Sequence, residues 1–225
     1  MQDIPVVFDR PVTLVGGGPV DRLSLADARA LAPALVAADR AADTLAALGA
    51  LPELLVGDMD SVGDLAAWRR VAGTRVLHLV EQETTDFEKC LYATEAPWYL
   101  AAGFTGGRLD HTLAVLHAML ARPEKRVVLL AEEDAIVALP PGRTLSVAVE
   151  PGARVSLFPL GPASGTHSRG LVWPVTGLDM APGRLIGTSN RAEAGRVEVA
   201  FDAPGVFLIL PRTHLPDLVA AMLSV

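Results

Sequence analysis

The sequence predicts two architectures in series: a Rossmann-like parallel α/β sheet domain over residues 1–140, then a small all-β sandwich or barrel over 141–225. Two observations carry this. Up to about residue 131, short apolar runs alternate with helical segments, the pattern of a parallel sheet with helices on its faces. Around residues 132–143 helical periodicity stops, and short β-rich runs alternate with Gly and Pro turns.

The first strand is read at residues 11–15 (PVTLV), running into Gly16-Gly17-Gly18-Pro19. A Gly-rich turn after a strand lets backbone approach phosphate, but GGGPV matches neither GxGxxG nor the lysine-bearing P-loop, so a plain turn is the alternative. Residues 24–32 read as a helix with Ser24 as N-cap and Asp27 at N3, stopped by Pro33. A second strand, 35–38, ends at Asp39; an Ala-rich helix, 40–48, is closed by Gly49. Residues 54–57 make the third strand, which empties into Asp58-Met59-Asp60-Ser61. A helix at 64–72 and a strand at 75–80 follow, with His78 read as a packed or edge histidine. Thr85 with Glu88 forms a capping box that opens the next helix, and Cys90 on it reads as a small core residue. A strand at 98–102, a long helix from the 104–111 loop through Ala121 carrying a packed His117, and a strand at 126–131 complete the first half. In the second half the β-rich runs are 145–149, 154–160, 170–175, 184–187, 196–201 and 205–210.

Composition narrows the function. Of 225 residues, 51% are hydrophobic and 20% charged, enough for a packed core. No apolar run reaches membrane-span length and the first ten residues lack a signal-peptide layout, so a cytoplasmic location is expected. The one cysteine, Cys90, agrees with a reducing compartment. Net charge is −7 with no basic cluster, which argues against nucleic acid and anionic membranes as partners. A small polyanion handled through a cation remains compatible, because the metal reverses the local field. Lys89 and Lys125 are the only lysines among 19 basic residues.

The candidate chemistry lies at strand ends. Asp58 and Asp60, two apart just past a strand, project to one side if the backbone stays extended and can share one hard cation; an Asp-rich turn that caps the next helix is the bland alternative. Asp39 lies on the same edge, where a helix cap is the other reading. Asp86 and Lys89, three apart at a helix start, place a carboxylate and an ammonium where free N–H groups favour phosphate; an ordinary surface ion pair is the alternative. Gly106-Gly107-Arg108-Leu109-Asp110-His111 offers a flexible loop, a planar guanidinium suited to phosphate oxygens, and two residues that either staple the loop or touch the site. In the second half Trp173, beside Pro174, reads as core or as a stacking plate; Ser189-Asn190 reads as a turn or a contact.

GDMDS, TTDFEKC and GGRLDH, followed by GLVWP and TSNR in a β-rich tail, resemble in order and spacing the thiamine pyrophosphokinase family over most of the chain. The resemblance implies an α/β domain that binds ATP, a β-sandwich that helps hold thiamine, and transfer of the terminal diphosphate of ATP to thiamine's hydroxyethyl arm with release of AMP. It implies a homodimer whose sites form between the α/β domain of one subunit and the β domain of the other. By position it makes Asp58, Asp60 and Asp86 the Mg²⁺ and phosphate-site acids, with Lys89 and Arg108 binding phosphates and Asp110 and His111 completing that loop. Trp173, Ser189 and Asn190 match the thiamine-binding stretches. Asp39 matches the acid of an Ala-Asp-Gly-Gly turn at the nucleotide, but Arg40-Ala41-Ala42 follow it here. Arg191 likewise stands where relatives often carry an acid.

The alternatives are a pyrophosphokinase for another hydroxymethyl heterocycle such as a pterin, and a non-catalytic nucleotide or thiamine sensor. A phosphatase using Asp58 would be expected to carry its Asp-x-Asp nearer the first strand. No GxSxG elbow supports serine catalysis, and one cysteine with five scattered histidines leaves no structural zinc set.

Overall fold

Residues 4–225 are described by a computed structural model; residues 1–3, part of the stretch read for a leader, lie outside the described residues. The chain divides into two compact units between Leu129 and Leu130. Within the second unit the strand Asp134–Ala138 pairs antiparallel with Val206–Pro211.

In the first unit the strands are β1 (Val6–Val7), β2 (Val12–Val15), β3 (Ala34–Ala38), β4 (Leu54–Gly57), β5 (Arg75–His78), β6 (Thr94–Glu95), β7 (Tyr99–Ala102) and β8 (Val127–Leu130). The helices are α1 (Arg22–Leu31), α2 (Ala41–Ala47), α3 (Leu65–Trp68), α4 (Asp86–Ala93) and α5 (Leu109–Ala121). The sheet order is β8-β7-β2-β3-β4-β5, and the pairs β7–β2, β2–β3, β3–β4 and β4–β5 are parallel. Strands β2, β3 and β4 are buried throughout because their residues are almost all apolar, as a sheet covered on both faces requires. Each buried Leu or Val among them contributes roughly 1.5–3 kcal/mol relative to exposure. A core of Leu35, Ala37, Leu45, Leu55, Met59 and Trp68 lies beneath the carboxyl ends of β3 and β4.

Several local expectations change. The cap of α1 is Asp21, not Ser24: Asp21 stands in extended backbone and accepts the Ser24 N–H, so the helix starts earlier. The expected 64–72 helix is a single turn, α3, capped by Asp64. The Arg69-Arg70 pair that follows is exposed, and Gly73, with φ +88, ends the segment. His117 is exposed on α5 rather than packed. The Thr85/Glu88 capping box of α4 is present in full.

The second unit is antiparallel β with one helix. Its strands are β9 (Asp134–Ala138), β10 (Leu145–Ala148), β11 (Arg154–Pro159), β12 (Ala163–Arg169), β13 (Asp179–Met180), β14 (Gly187–Arg191), β15 (Arg196–Phe201) and β16 (Val206–Pro211). They form the orders β10-β15-β12-β13 and β14-β11-β16-β9. Neither 170–175 nor 184–187 is a strand; Leu171 makes an isolated bridge to Ala192, and the pairing segment begins at Gly187. Strand β12 (ASGTHSR) escapes sequence reading because it carries little apolar content. The chain ends in α6 (Leu215–Leu223), packed on β9 and β10 and pinned by His214 Nε2 at 2.9 Å from Glu150.

Candidate active site

Parallel pairing of β3 with β4 puts Ala38 opposite Val56, so the residues that follow, Asp39 and Asp58, leave the sheet side by side at its carboxyl edge. This is where open α/β sheets hold ligands. The Asp39 N–H donates to Val56 O at 2.8 Å. A Cβ on Gly57 would lie 3.0 Å from Asp39 Cβ, so glycine is needed there for the close approach. Asp39 does not cap α2: Arg40 holds the N-cap position and no side chain caps it.

Beyond Gly57 the backbone is not extended. Met59 has φ +64, in the left-handed region, and its side chain is buried in the core beneath. The thioether thus anchors a tight turn while Asp58 and Asp60 stay above it. The carboxylates are brought together by this turn and not by an extended backbone. Oxygens of Asp39, Asp58 and Asp60 come within 4.8 Å of one another. Asp43 of α2 holds the rest of the loop, accepting the Gly63 N–H at 2.8 Å and the Trp68 indole N–H at 3.1 Å.

Electrostatics distinguish the acids. Asp39 is 4% exposed and its Oδ1 has no hydrogen-bond partner. Burial, then the charges of Asp86, Asp58 and Asp60, push its carboxyl up to about 6. Asp58 feels burial too, but the Gln82 amide at 2.6 Å, the Asp60 N–H at 3.3 Å and the Lys89 ammonium at 3.5 Å outweigh it and hold the carboxyl below its usual range. Burial raises Asp86, and the charges of Asp58 and Asp60 add to it, against Lys89 and His111. Lys89 is 2% exposed. A buried ammonium facing one carboxylate at that distance keeps donors to offer a third group.

A cavity of about 420 Å³ adjoins these acids, with Asp39, Arg40, Asp86, Arg108 and His111 among its lining and Phe87 and Phe104 as apolar wall. The two rings meet edge to face at 4.8 Å. Its Gly-rich rim is interlocked: a Cβ on Gly18 would lie 2.7 Å from the carbonyl oxygens of both Gly103 and Thr105.

All the donors of the acid trio are hard oxygens, they converge, and one is buried without a partner. That set fits a small divalent cation such as Mg²⁺.

Among family models, "Thiamin pyrophosphokinase, catalytic domain" matches residues 27–129 and "Thiamin pyrophosphokinase, vitamin B1 binding domain" matches residues 144–206. Thiamine pyrophosphokinase 3 of Oryza sativa subsp. japonica is 31% identical over 180 residues, covering 72% of this chain and 67% of its own length. The chain belongs to the thiamine pyrophosphokinase family. Thiamine pyrophosphokinase 1 of Arabidopsis thaliana is 31% identical over 167 residues; the match spans 68% of this chain and 62% of that enzyme. The fold is that of the thiamin pyrophosphokinase from Candida albicans (TM-score 0.75, 17% identity, 90% and 89% of the two chains). The Bacillus subtilis thiamine pyrophosphokinase is similar in the same way (TM-score 0.70, 21% identity, 90% and 98%).

Of the residues the thiamine pyrophosphokinase resemblance singles out, Asp58, Asp60, Asp86 and Lys89 converge with Asp39. Asp86 lies outside the closest trio but lines the cavity. Arg108 and Asp110 are exposed and bind each other, Nη2 to Oδ2 at 2.5 Å. In the second unit Trp173 is 57% exposed rather than core, with the Arg191 guanidinium 5.7 Å from its ring centroid. Asn190 is buried and spends its amide on Trp173, donating to Trp173 O at 2.7 Å and accepting its N–H at 3.2 Å. Ser189 has φ +60; as with Asp39 (φ +47) and Met59, strained backbone marks a candidate contact.

Two contributors are missed from sequence. Gln82 holds Asp58, and Glu81 holds the loop that leads into α4. Their position straight after a strand on the ligand edge was the available signal.

Proposed function

We propose that this chain is a thiamine diphosphokinase, transferring the terminal diphosphate of ATP to the hydroxyethyl group of thiamine to give thiamine diphosphate and AMP. The convergence of Asp39, Asp58 and Asp60, with an unpartnered Asp39 Oδ1 beside the cavity, carries the reading. The match to both the catalytic and the vitamin B1 binding family models supports it.

In this reading Asp58, Asp60 and Asp86, joined by Asp39, hold Mg²⁺. When bound, the metal neutralises phosphate charge and orients the β-phosphorus. The residues do the rest by placement and charge. Thiamine's hydroxyl oxygen bonds to the β-phosphorus, the bond from that phosphorus to the bridging oxygen of AMP breaks, and the hydroxyl proton passes to a carboxylate of the cluster. Lys89 and Arg108 stabilise charge on the moving diphosphate and on AMP. His111 and Asp110 order the loop that bears Arg108; the Asp110 carboxylate releases the guanidinium as phosphate replaces it. Trp173, Ser189 and Asn190 contact thiamine, with Trp173 stacking on a flat ring and Asn190 fixing its backbone. The Rossmann-like character of the first unit, the sandwich packing of the second, domains at 1–140 and 141–225, a cytoplasmic location and a homodimer with shared sites belong to the same reading. Parallel order β7-β2-β3-β4-β5 supports the first of these. Among the described residues no helix is long and apolar enough to cross a membrane.

The test is to incubate the chain with Mg·ATP and thiamine and identify the nucleotide product. AMP with thiamine diphosphate is expected, and Asp60→Ala should lose at least a hundredfold while keeping its circular dichroism. ADP, or no turnover of thiamine, would overturn the reading; turnover of a hydroxymethylpterin in its place would redirect it.

A further inference from the structure

The residue after Asp39 is an arginine that no other part of the fold employs. Arg40 lines the cavity beside Asp39 and Asp86, yet its guanidinium makes no hydrogen bond or ion pair among the described residues. The other cations of the site are engaged, Lys89 with Asp58 and Arg108 with Asp110. Arg40 is not spent on capping either, since α2 has no side-chain cap.

Its stem is nevertheless fitted into place. A Cβ on Gly17 would lie 3.1 Å from Arg40 Cγ and 3.3 Å from Cδ. Gly17 is not among the left-handed glycines, so its backbone does not call for glycine. The bare Cα there leaves room for the arginine stem, which a methyl group at 17 would crowd, at the cavity rim. A planar donor fork held at the rim of an acidic site, with no acid assigned to it, is suited to oxygens brought by the ligand.

We infer that Arg40 is a phosphate-binding residue of this chain, gripping the phosphate chain of the nucleotide beside the acids that face the cation. The inference rests on the nucleotide-site reading of the cavity. It assigns to a side chain the anchoring that a glycine at this turn would leave to backbone.

Titrate the full chain with Mg·ATP, thiamine omitted, by calorimetry, beside Arg40→Ala and Arg40→Lys, with adenosine as a second ligand. Arg40→Ala should weaken Mg·ATP binding roughly ten- to a hundredfold, as loss of a charge-assisted contact requires. Arg40→Lys should fall between, because the charge remains and the fork does not. Adenosine affinity and thermal midpoint should stay as in the unaltered chain. Gly17→Ala, which pushes on the stem, should weaken Mg·ATP by a smaller factor. Binding of Mg·ATP by Arg40→Ala within twofold of the unaltered chain would overturn the inference and leave the nucleotide reading standing. Equal weakening toward adenosine would overturn the phosphate assignment. No binding of Mg·ATP by the unaltered chain would remove the nucleotide reading and this inference with it.

Discussion

Asp39 shows how position sets the chemistry of a common side chain. On the surface it would titrate near 3.8; here burial and three neighbouring carboxylates push it up to about 6. The folded, metal-free protein therefore holds this proton more tightly than the unfolded chain does. The stability so contributed is full below about pH 4 and is lost as the pH rises through 6. In EDTA the thermal midpoint of the unaltered chain should fall between about pH 4 and pH 6, and Asp39→Asn should flatten that fall. At pH 7.5 Mg²⁺ should raise the midpoint of the unaltered chain and raise that of Asp39→Asn less. A pH profile identical in the two proteins would show that Asp39 is not the group concerned. The importance of this residue could be read from its place at a strand end, but not its burial. That follows from Gly57, whose missing side chain lets β4 close against it.

The segment between β5 and α4 behaves as one unit because Glu81 ties it together. Its Oε2 accepts the N–H groups of Glu83 at 2.9 Å and Thr84 at 3.0 Å, and its Oε1 accepts the hydroxyls of Thr84 at 2.5 Å and Tyr92 at 2.8 Å. The Thr84 hydroxyl above all, with Tyr92 and the two amides, brings its carboxyl down to about 2. This lies below its ordinary 4.5, so the clamp is complete above that pH and is lost as the pH falls toward 2. The clamp fixes where Gln82 meets Asp58 and where α4 presents Asp86 and Lys89. Glu81→Ala should cost about 1–3 kcal/mol in denaturant unfolding, with several hydrogen bonds lost. It should also lower kcat for AMP formation at least tenfold with a smaller change in KM for thiamine. Glu81→Asp, which keeps the charge but shortens the reach, should recover stability more than rate. Glu81→Ala destabilised as expected but with unchanged kcat would reduce Glu81 to a structural tie. The helix itself was legible from Thr85 and Glu88 alone, because a capping box is written in neighbouring residues. The clamp was not, since Glu81 and Tyr92 are brought together only when α4 winds back over its own entry loop.

Across the chain, the family places a catalytic part before a vitamin B1 binding part, and both are matched here. The two differ in physical make-up: parallel strands with helices in the first, antiparallel strands with one helix in the second. Light scattering after size exclusion should give twice the 23.6 kDa of one chain if the proposed homodimer forms. A mass of one chain at working concentration, with AMP formation intact, would remove the shared-site part of the reading. The exposed Trp173, with Arg191 over its ring, is the second unit's candidate for the thiamine face. Its exposure corrects the core reading, because Asn190 fastens the Trp173 backbone and leaves the ring outside.

What could be read along the chain was whatever is written locally. Alternating apolar runs marked strands β2, β3, β4 and β7, the capping box marked α4, and the order of the acidic and Gly-rich motifs marked the family. What could not be read depends on neighbours far apart in sequence. Asp39 joins Asp58 and Asp60 because β3 and β4 pair in one register. The Met59 turn holds because its side chain finds the core beneath. Strand β12 exists because β15 and β13 supply its partners, although its own residues are mostly polar and small. Arg40 gains a role only where Gly17 makes room for it. Local pattern is set by covalent spacing and propensity, whereas convergence, burial and charge coupling are properties of the folded packing alone.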